Sequence, residues 1–196
     1  MILKVLENRQ ETKNSFTLIL EKPEGFIFYP GQFLDIELPV DDPFGTTRIF
    51  SISSSPSEDF IMLTYKRGTT PFKKKLELLK KGDIISSSHP AGTVVIDDSS
   101  PIVMLAGGIG IAPHRSMIKW AVDQRLDLPI TLIYSNSDDD FIFIRLSPYM
   151  DSLMAFLKRL NTTEMQIVFM KYDGVMKVMK MMEEGAQQLG KELGLR

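Results

Sequence analysis

Three glycines, an arginine and an aromatic ring are the residues of this chain whose types and spacing point to chemistry. Gly107, Gly108 and Gly110 follow the short apolar run Ile102–Leu105, and Pro113 stands three residues beyond the last of them. Four apolar residues between breakers fit a strand buried on both faces. Ala112–Gln124 then reads as a helix with Pro113 in its first turn. A helix N-terminus carries unpaired N–H groups and a partial positive charge, and glycines in front of it let a pyrophosphate approach the backbone. The spacing is GGxGxxP rather than the full GxGxxG pattern, so a strand-to-helix turn without a ligand stays open at this point.

Upstream, Arg48-Ile49-Phe50-Ser51 reads as a strand. Alternation puts Arg48 and Phe50 on one face and Ile49 and Ser51 on the other. A cation beside a flat ring could meet a phosphate and a heteroaromatic system; a core Phe with a rim Arg is the competing reading. The segment Lys66-Arg67-Gly68-Thr69-Thr70-Pro71-Phe72 leads into a helix whose N–H groups and hydroxyls could hold a second phosphate.

These residues need elements to position them. Residues Ile2–Leu6, Phe16–Glu21, Phe33–Leu38, Arg48–Ser53, Phe60–Lys66, Asp83–Ser87 and Thr93–Ile96 are short β-prone runs separated by Pro, Gly and Asp turn signals. They predict an antiparallel barrel, interrupted by a helix over Pro71–Lys81. From residue 101 the rhythm becomes strand–helix alternation: strands at Ile102–Leu105, Ile130–Tyr134 and Gln166–Met170, helices at Ala112–Gln124, Ser147–Leu160 and Val175–Leu189. That pattern predicts a parallel sheet with covering helices. The polar connector Asp97–Ser100 divides the chain into 1–98 and 99–196.

Composition narrows the chemistry. The 196 residues are 43% hydrophobic and 24% charged with a net charge of −2, which points away from nucleic acid. There is no cysteine and there are two histidines, so thiolate catalysis and cysteine-ligated metal centres are excluded. No GxSxG elbow or metal signature occurs, so any redox or transfer chemistry has to come from a bound cofactor. Lys73–Lys75 with Lys80 and Lys81 read as a solvated helix face, and Met176, Met179 and Met182 as helical core packing. With no signal peptide and no 18-residue apolar run, the expectation is a cytoplasmic protein without a membrane span.

In this order the motifs resemble the ferredoxin–NADP reductase superfamily. The family's Arg-x-Tyr/Phe-Ser stands here as Arg48–Ser51, its Gly-x-x-Ser/Thr as Gly68–Phe72, its barrel-closing turn as His89–Gly92, and its Gly-Gly-x-Gly-x-x-Pro as Gly107–Pro113. Tyr134-Ser135-Asn136-Ser137 is similar to the end of the family's second nicotinamide-domain strand. The resemblance implies an N-terminal antiparallel Greek-key β-barrel that binds flavin, followed by a parallel α/β domain that binds NAD(P)H. It implies that Arg48 pairs with the flavin phosphate, Phe50 stacks on the isoalloxazine, and Ser51 hydrogen-bonds near N5, which makes Phe50 and Ser51 the catalytic pair. Ile49, Thr64 and Tyr65 would line the FAD site, and Lys66, Gly68, Thr69 and Thr70 would hold its diphosphate, with FMN as the alternative cofactor. Gly107, Gly108, Gly110, Pro113, Ser135 and Asn136 would bind the pyridine nucleotide. The activity implied is electron transfer between NAD(P)H and a separate redox protein or small acceptor.

The pattern departs from the family at Phe169–Gly174, where a Cys-Gly-Pro-Pro type of turn is expected. The chain is also short between Leu160 and Gln166, and it ends at Arg196 without the family's final strand. These departures leave two expectations: a shortened member, or a sequence from which residues are missing. Asp138, Asp139 and Asp140 follow the second strand of the α/β part and disfavour a 2′-phosphate, so NADH is preferred over NADPH. A non-catalytic flavin-binding electron-transfer or regulatory subunit is the alternative function, and a nucleotide-free interaction domain a third.

Overall fold

The computed structural model of the chain describes residues 1–135 and 166–170. In strand β1 (Ile2–Gln10), Leu3 and Val5 point into the core while Ile2 and Lys4 face outward, as period-two patterning requires. Strands β2 (Ser15–Glu21), β3 (Phe33–Glu37), β4 (Thr47–Ser51), β5 (Phe60–Lys66) and β6 (Ile84–Ser87) complete a six-stranded sheet in the order β4-β3-β6-β1-β2-β5. Every pairing in it is antiparallel. The two end strands approach through an isolated bridge between Ile52 and Leu63, where the Ser53 N–H donates to the Met62 carbonyl at 2.7 Å. Leu18, Leu34, Ile36, Ile61 and Leu63 fill the interior of this sheet and are withdrawn from water.

Helix α1 (Pro71–Glu77) lies between β5 and β6 and is shorter than the Pro71–Lys81 expected from its apolar spacing. Asn8, on β1, accounts for the early stop. Its Nδ2 donates to the carbonyls of Leu76 at 2.9 Å and Leu79 at 3.1 Å, so orphan groups at the helix end are satisfied from outside. Asn8 Oδ1 in turn accepts from the Tyr65 hydroxyl at 2.9 Å. Burial pushes the Tyr65 phenol up to about 12, against the Asn8 hydrogen bond, so the group stays a donor at neutral pH.

Thr93–Ile96 does not form the expected strand. β3 is already flanked by β4 and β6, so no ladder edge is open there; the chain makes one bridge, Ala91 to Phe33, and leaves the sheet. It turns at Gly92, with φ at 107°, and the Val95 N–H closes on the Thr93 carbonyl at 3.1 Å.

Residues 101–135 carry the strand–helix–strand unit read from their rhythm. Strands β7 (Ile102–Gly107), β8 (Ile130–Ser135) and β9 (Gln166–Met170) form a parallel sheet in that order. Helix α2 (Ile111–Asp123) packs Ile111, Ile118 and Ala121 into a second core with Met104, Ala106, Ile130, Leu132 and Tyr134. The helices expected over 147–160 and 175–189 lie outside the described residues.

The antiparallel and parallel parts meet closely at Gly31. A Cβ there would sit 2.2 Å from the Val94 carbonyl oxygen and 2.4 Å from Met117 Cε on α2, and the backbone φ is +104°. Only glycine fits that approach.

Candidate functional site

On β4, Phe50 turns inward and Ile49 outward, as the alternation predicted, and Ser51 is half-buried. The Phe50 ring stacks on Phe72 of α1, with centroids 6.2 Å apart and planes 20° from parallel. It meets Tyr65 of β5 edge-on at 6.5 Å. Two cations cover this cluster: Lys73 Nζ lies 5.1 Å from the Phe50 centroid and 5.5 Å from that of Tyr65, and the Arg48 guanidinium lies 5.1 Å from that of Phe72. Stacking a flavin on Phe50 therefore requires the Lys73 chain to lift from the ring.

Arg48 is anchored by Asp42. Its Nη2 donates to Asp42 Oδ1 at 2.9 Å, and its Nη1 to the carbonyls of Phe44, Gly45 and Thr47 at 2.9, 2.9 and 2.7 Å. Asp42 also accepts from the backbone N–H of Phe44 and Phe72, each at 2.9 Å. Burial would raise its carboxyl, but those N–H groups and the Arg48 charge outweigh it and hold the pKa below the usual carboxylate range. One carboxylate thus ties the 42–48 turn to the first turn of α1. The remaining early N–H groups of α1 are engaged too: Lys73 N–H donates to Thr70 Oγ1 and Lys74 N–H to the Thr70 carbonyl. These donors, expected to hold a phosphate, are already paired within the chain. Thr69 and Lys66 are exposed, Gly68 is half-buried, and Thr64 is buried with its hydroxyl on Ser53 Oγ at 3.0 Å.

The leucine spacing predicts a solvated helix face for Lys73, whereas the structure places it half-buried over the aromatic cluster. Burial, together with the Arg48 charge, holds its ammonium below the ordinary lysine range. No ion pair engages it among the described residues. A Cβ at Gly68 would come within 2.9 Å of Lys73 Cγ, so the glycine leaves room for this packing. Lys73 and Asp42 are the residues of this cluster that the sequence does not single out. The lysine's signal was its place one residue after Phe72 in the motif; Asp42, inside a turn signal, offered none.

At the parallel sheet, Gly107 is the last residue of β7, extended at φ −124°, and the turn itself is made by Gly108 in the left-handed region at φ +51°. Gly108–Gly110 form a 3-10 turn that runs into α2, whose first turn has no side-chain cap and no acidic residue. Among the described residues, a Cβ at Gly107 or Gly110 would meet nothing within 4 Å. The parallel register sets Gly107 beside Ser135 at one edge of the sheet. Pro113 lies in the first turn of α2, half-buried; Asn136 lies outside the described residues. His114 Nδ1 sits 2.9 Å from the Gly110 carbonyl, and burial holds its pKa below that of an ordinary histidine.

A joint connects the two parts. Arg115 of α2 reaches the Ser53 carbonyl at 2.7 Å and both carboxylate oxygens of Glu58, at 2.9 and 3.0 Å. Ser116 Oγ donates to the Ser54 carbonyl at 2.6 Å, and Ser57 Oγ to Asp123. Burial would raise the Glu58 carboxyl, but the Arg115 bonds and charge hold it below the usual range.

The donor set suits a flavin dinucleotide. Arg48 and Arg67 pair with Asp42 and Glu77 beside the Phe72 and Phe16 rings, and Lys73 over Phe50 makes no ion pair among the described residues, which leaves one positive charge in excess beside the aromatic rings. A diphosphate carries the complementary charge. Among the described residues, no group of three or more His, Asp or Glu gathers as metal ligands, and no helix is long and apolar enough to cross a membrane.

An antiparallel sheet with a cation-covered aromatic cluster, joined to a parallel sheet with a glycine turn, is the fold shared with ferredoxin-NADP+ reductases of solved structure. The chain belongs to the ferredoxin–NADP reductase superfamily. It is 31% identical over 157 residues to the glycine betaine monooxygenase reductase subunit of Pseudomonas aeruginosa, covering 76% of this chain and 42% of that protein. Its fold matches a ferredoxin-NADP+ reductase from Plasmodium falciparum with a TM-score of 0.73 at 18% identity, over 99% of this chain and 81% of that one. It also matches a Neisseria gonorrhoeae ferredoxin NADP+ reductase with bound FAD and NADP, with a TM-score of 0.66 at 24% identity, over 87% and 67% of the two chains. The chain spans about two fifths of the length of the curated relatives it matches. No family model matches it.

Proposed function

We propose that the chain is the flavin- and nicotinamide-binding part of a cytoplasmic flavoprotein reductase that moves electrons from NAD(P)H, through FAD, to a separate redox protein or small acceptor. Residues 1–98 are the flavin unit, a Greek-key barrel closed through the Ile52–Leu63 bridge; residues 99–196 are the nicotinamide unit. The observation that carries this reading is the Lys73 ammonium, which makes no ion pair among the described residues and shares the Phe50, Phe72 and Tyr65 cluster with Arg48. When bound, the flavin supplies hydride acceptance and the release of electrons singly or in pairs. The chain's own part is binding and orientation. Lys73 and Lys66 meet the diphosphate, Arg48 stands at its edge on the Asp42 anchor, and Ile49, Ser51, Thr69 and Thr70 line the approach. Phe50 and Ser51 orient the flat ring, and Gly107, Gly108, Gly110 and Ser135 admit the nicotinamide diphosphate at the edge of the parallel sheet. No general base is needed. A relative that is a monooxygenase reductase subunit supports a protein acceptor, and Asp138–Asp140 favour NADH.

Flavin-free protein titrated with FAD is expected to quench flavin fluorescence to a stoichiometric end point. Lys73→Met weakens that binding about tenfold, as loss of one charge-assisted contact does. Absence of saturable FAD binding, or an unchanged affinity in the variant, contradicts this placement of the flavin.

A further inference from the structure

The Arg115–Glu58 pair calls for an explanation that stability does not supply. Both side chains are nearly withdrawn from water, 6% and 9% exposed. Burying two charges costs about as much as their attraction returns, so such pairs contribute little net stability. What a two-point Arg–carboxylate contact does supply is a fixed direction. Glu58 is itself held, accepting from the Ser55 N–H at 2.7 Å while its own N–H closes on the Ser55 carbonyl at 3.0 Å. Arg115 therefore grips a pre-set carboxylate and the Ser53 carbonyl together, and Ser116 adds the Ser54 carbonyl beside them.

The positions of these contacts carry the functional consequence. Ser53 lies two residues beyond Ser51, at the end of the strand assigned to the flavin ring. Arg115 lies five residues beyond Gly110, about 7.5 Å along the helix that opens at the glycine turn. The joint thus couples the segment just after β4 to the first half of α2. We propose that Arg115, fixed by Glu58, is a positioning residue that sets the separation and angle of the nicotinamide turn relative to the flavin strand. The inference rests on the reductase reading. Hydride transfer between two flat rings depends steeply on that separation, and a displacement near 1 Å is enough to cost about a hundredfold. Arg115 touches neither ring; it acts through α2.

The test compares wild type with Arg115→Met, Arg115→Lys and Ser116→Ala. Expected for Arg115→Met are wild-type FAD affinity and a half-saturating NADH concentration within about threefold of wild type. Its limiting rate of flavin reduction at saturating NADH falls about 10- to 100-fold. Arg115→Lys, which keeps the charge and loses the fork, recovers part of the rate, and Ser116→Ala loses several-fold. A second readout needs no cofactor: X-ray scattering of the flavin-free Arg115→Met protein shows a larger radius of gyration than wild type, because the two parts separate. An unchanged limiting rate, or an unchanged scattering profile, overturns the proposal. If Arg115→Met does not fold, Ser116→Ala and Arg115→Lys carry the same comparison, and wild-type rates in both overturn it. Wild-type protein that binds no FAD, or that NADH leaves oxidised, overturns the reductase reading instead, and scattering still decides the joint.

Discussion

Phe72→Ala lowers the unfolding free energy by about 3–5 kcal/mol and abolishes tight FAD binding. The ring is fully buried, stacks on Phe50 and lies beneath the Arg48 guanidinium. Truncation leaves a cavity at the point where β4 and α1 meet, and surrounding side chains refill such a space only in part. The loss reaches the site for a local reason. The Phe72 N–H holds Asp42, which holds Arg48, so a displaced first turn of α1 loosens the cation on β4, the strand proposed to hold the flavin. Urea denaturation at constant m-value measures the first effect and a fluorescence titration the second. Phe72→Leu, which keeps most of the volume, is expected to cost under half as much. An alanine variant within about 1 kcal/mol of wild type would mean that this cluster does not hold the site together.

Gly31→Ala is the other large effect, at about 3 kcal/mol. The added Cβ faces the Val94 carbonyl at 2.2 Å, a backbone atom that cannot rotate away, and φ there is +104°. Relief comes only by moving the 93–96 segment or α2, since Met117 closes the other side. Gly82→Ala separates the two causes. Its φ is +97° with nothing within 4 Å of the new Cβ, so backbone strain alone acts, at about 1–2 kcal/mol. Thermal unfolding of the pair gives the comparison. Equal losses at the two positions would show that the contact with Val94 and Met117 carries no energy.

Much of this fold is legible in the sequence because its signals are local. Phe60–Lys66 and Gln166–Met170 stand at their expected bounds, since apolar patterning and flanking breakers both specify them. The glycine turn and α2 follow from Gly108 and Pro113. What the sequence hides is decided at long range. The early end of α1 depends on Asn8, which lies 68 residues from Leu76 in the chain. Thr93–Ile96 has strand-forming residues, yet β3 has no free edge to offer them. The site behaves in the same way. Phe50 and Arg48 are visible as a motif, but that Arg48 is anchored by Asp42 and that Lys73 leaves the solvent is settled by packing between elements. Arg115 sits in the middle of a helix pattern, where nothing marks it as the partner of Glu58.

The most direct test of the account is an anaerobic visible spectrum of the FAD-loaded protein, before and after NADH and then NADPH. The expected result is flavin bands that bleach within seconds of adding NADH, with NADPH slower. Flavin bands that persist under both nucleotides would contradict a reductase and leave a flavin-binding electron-transfer or regulatory subunit in its place.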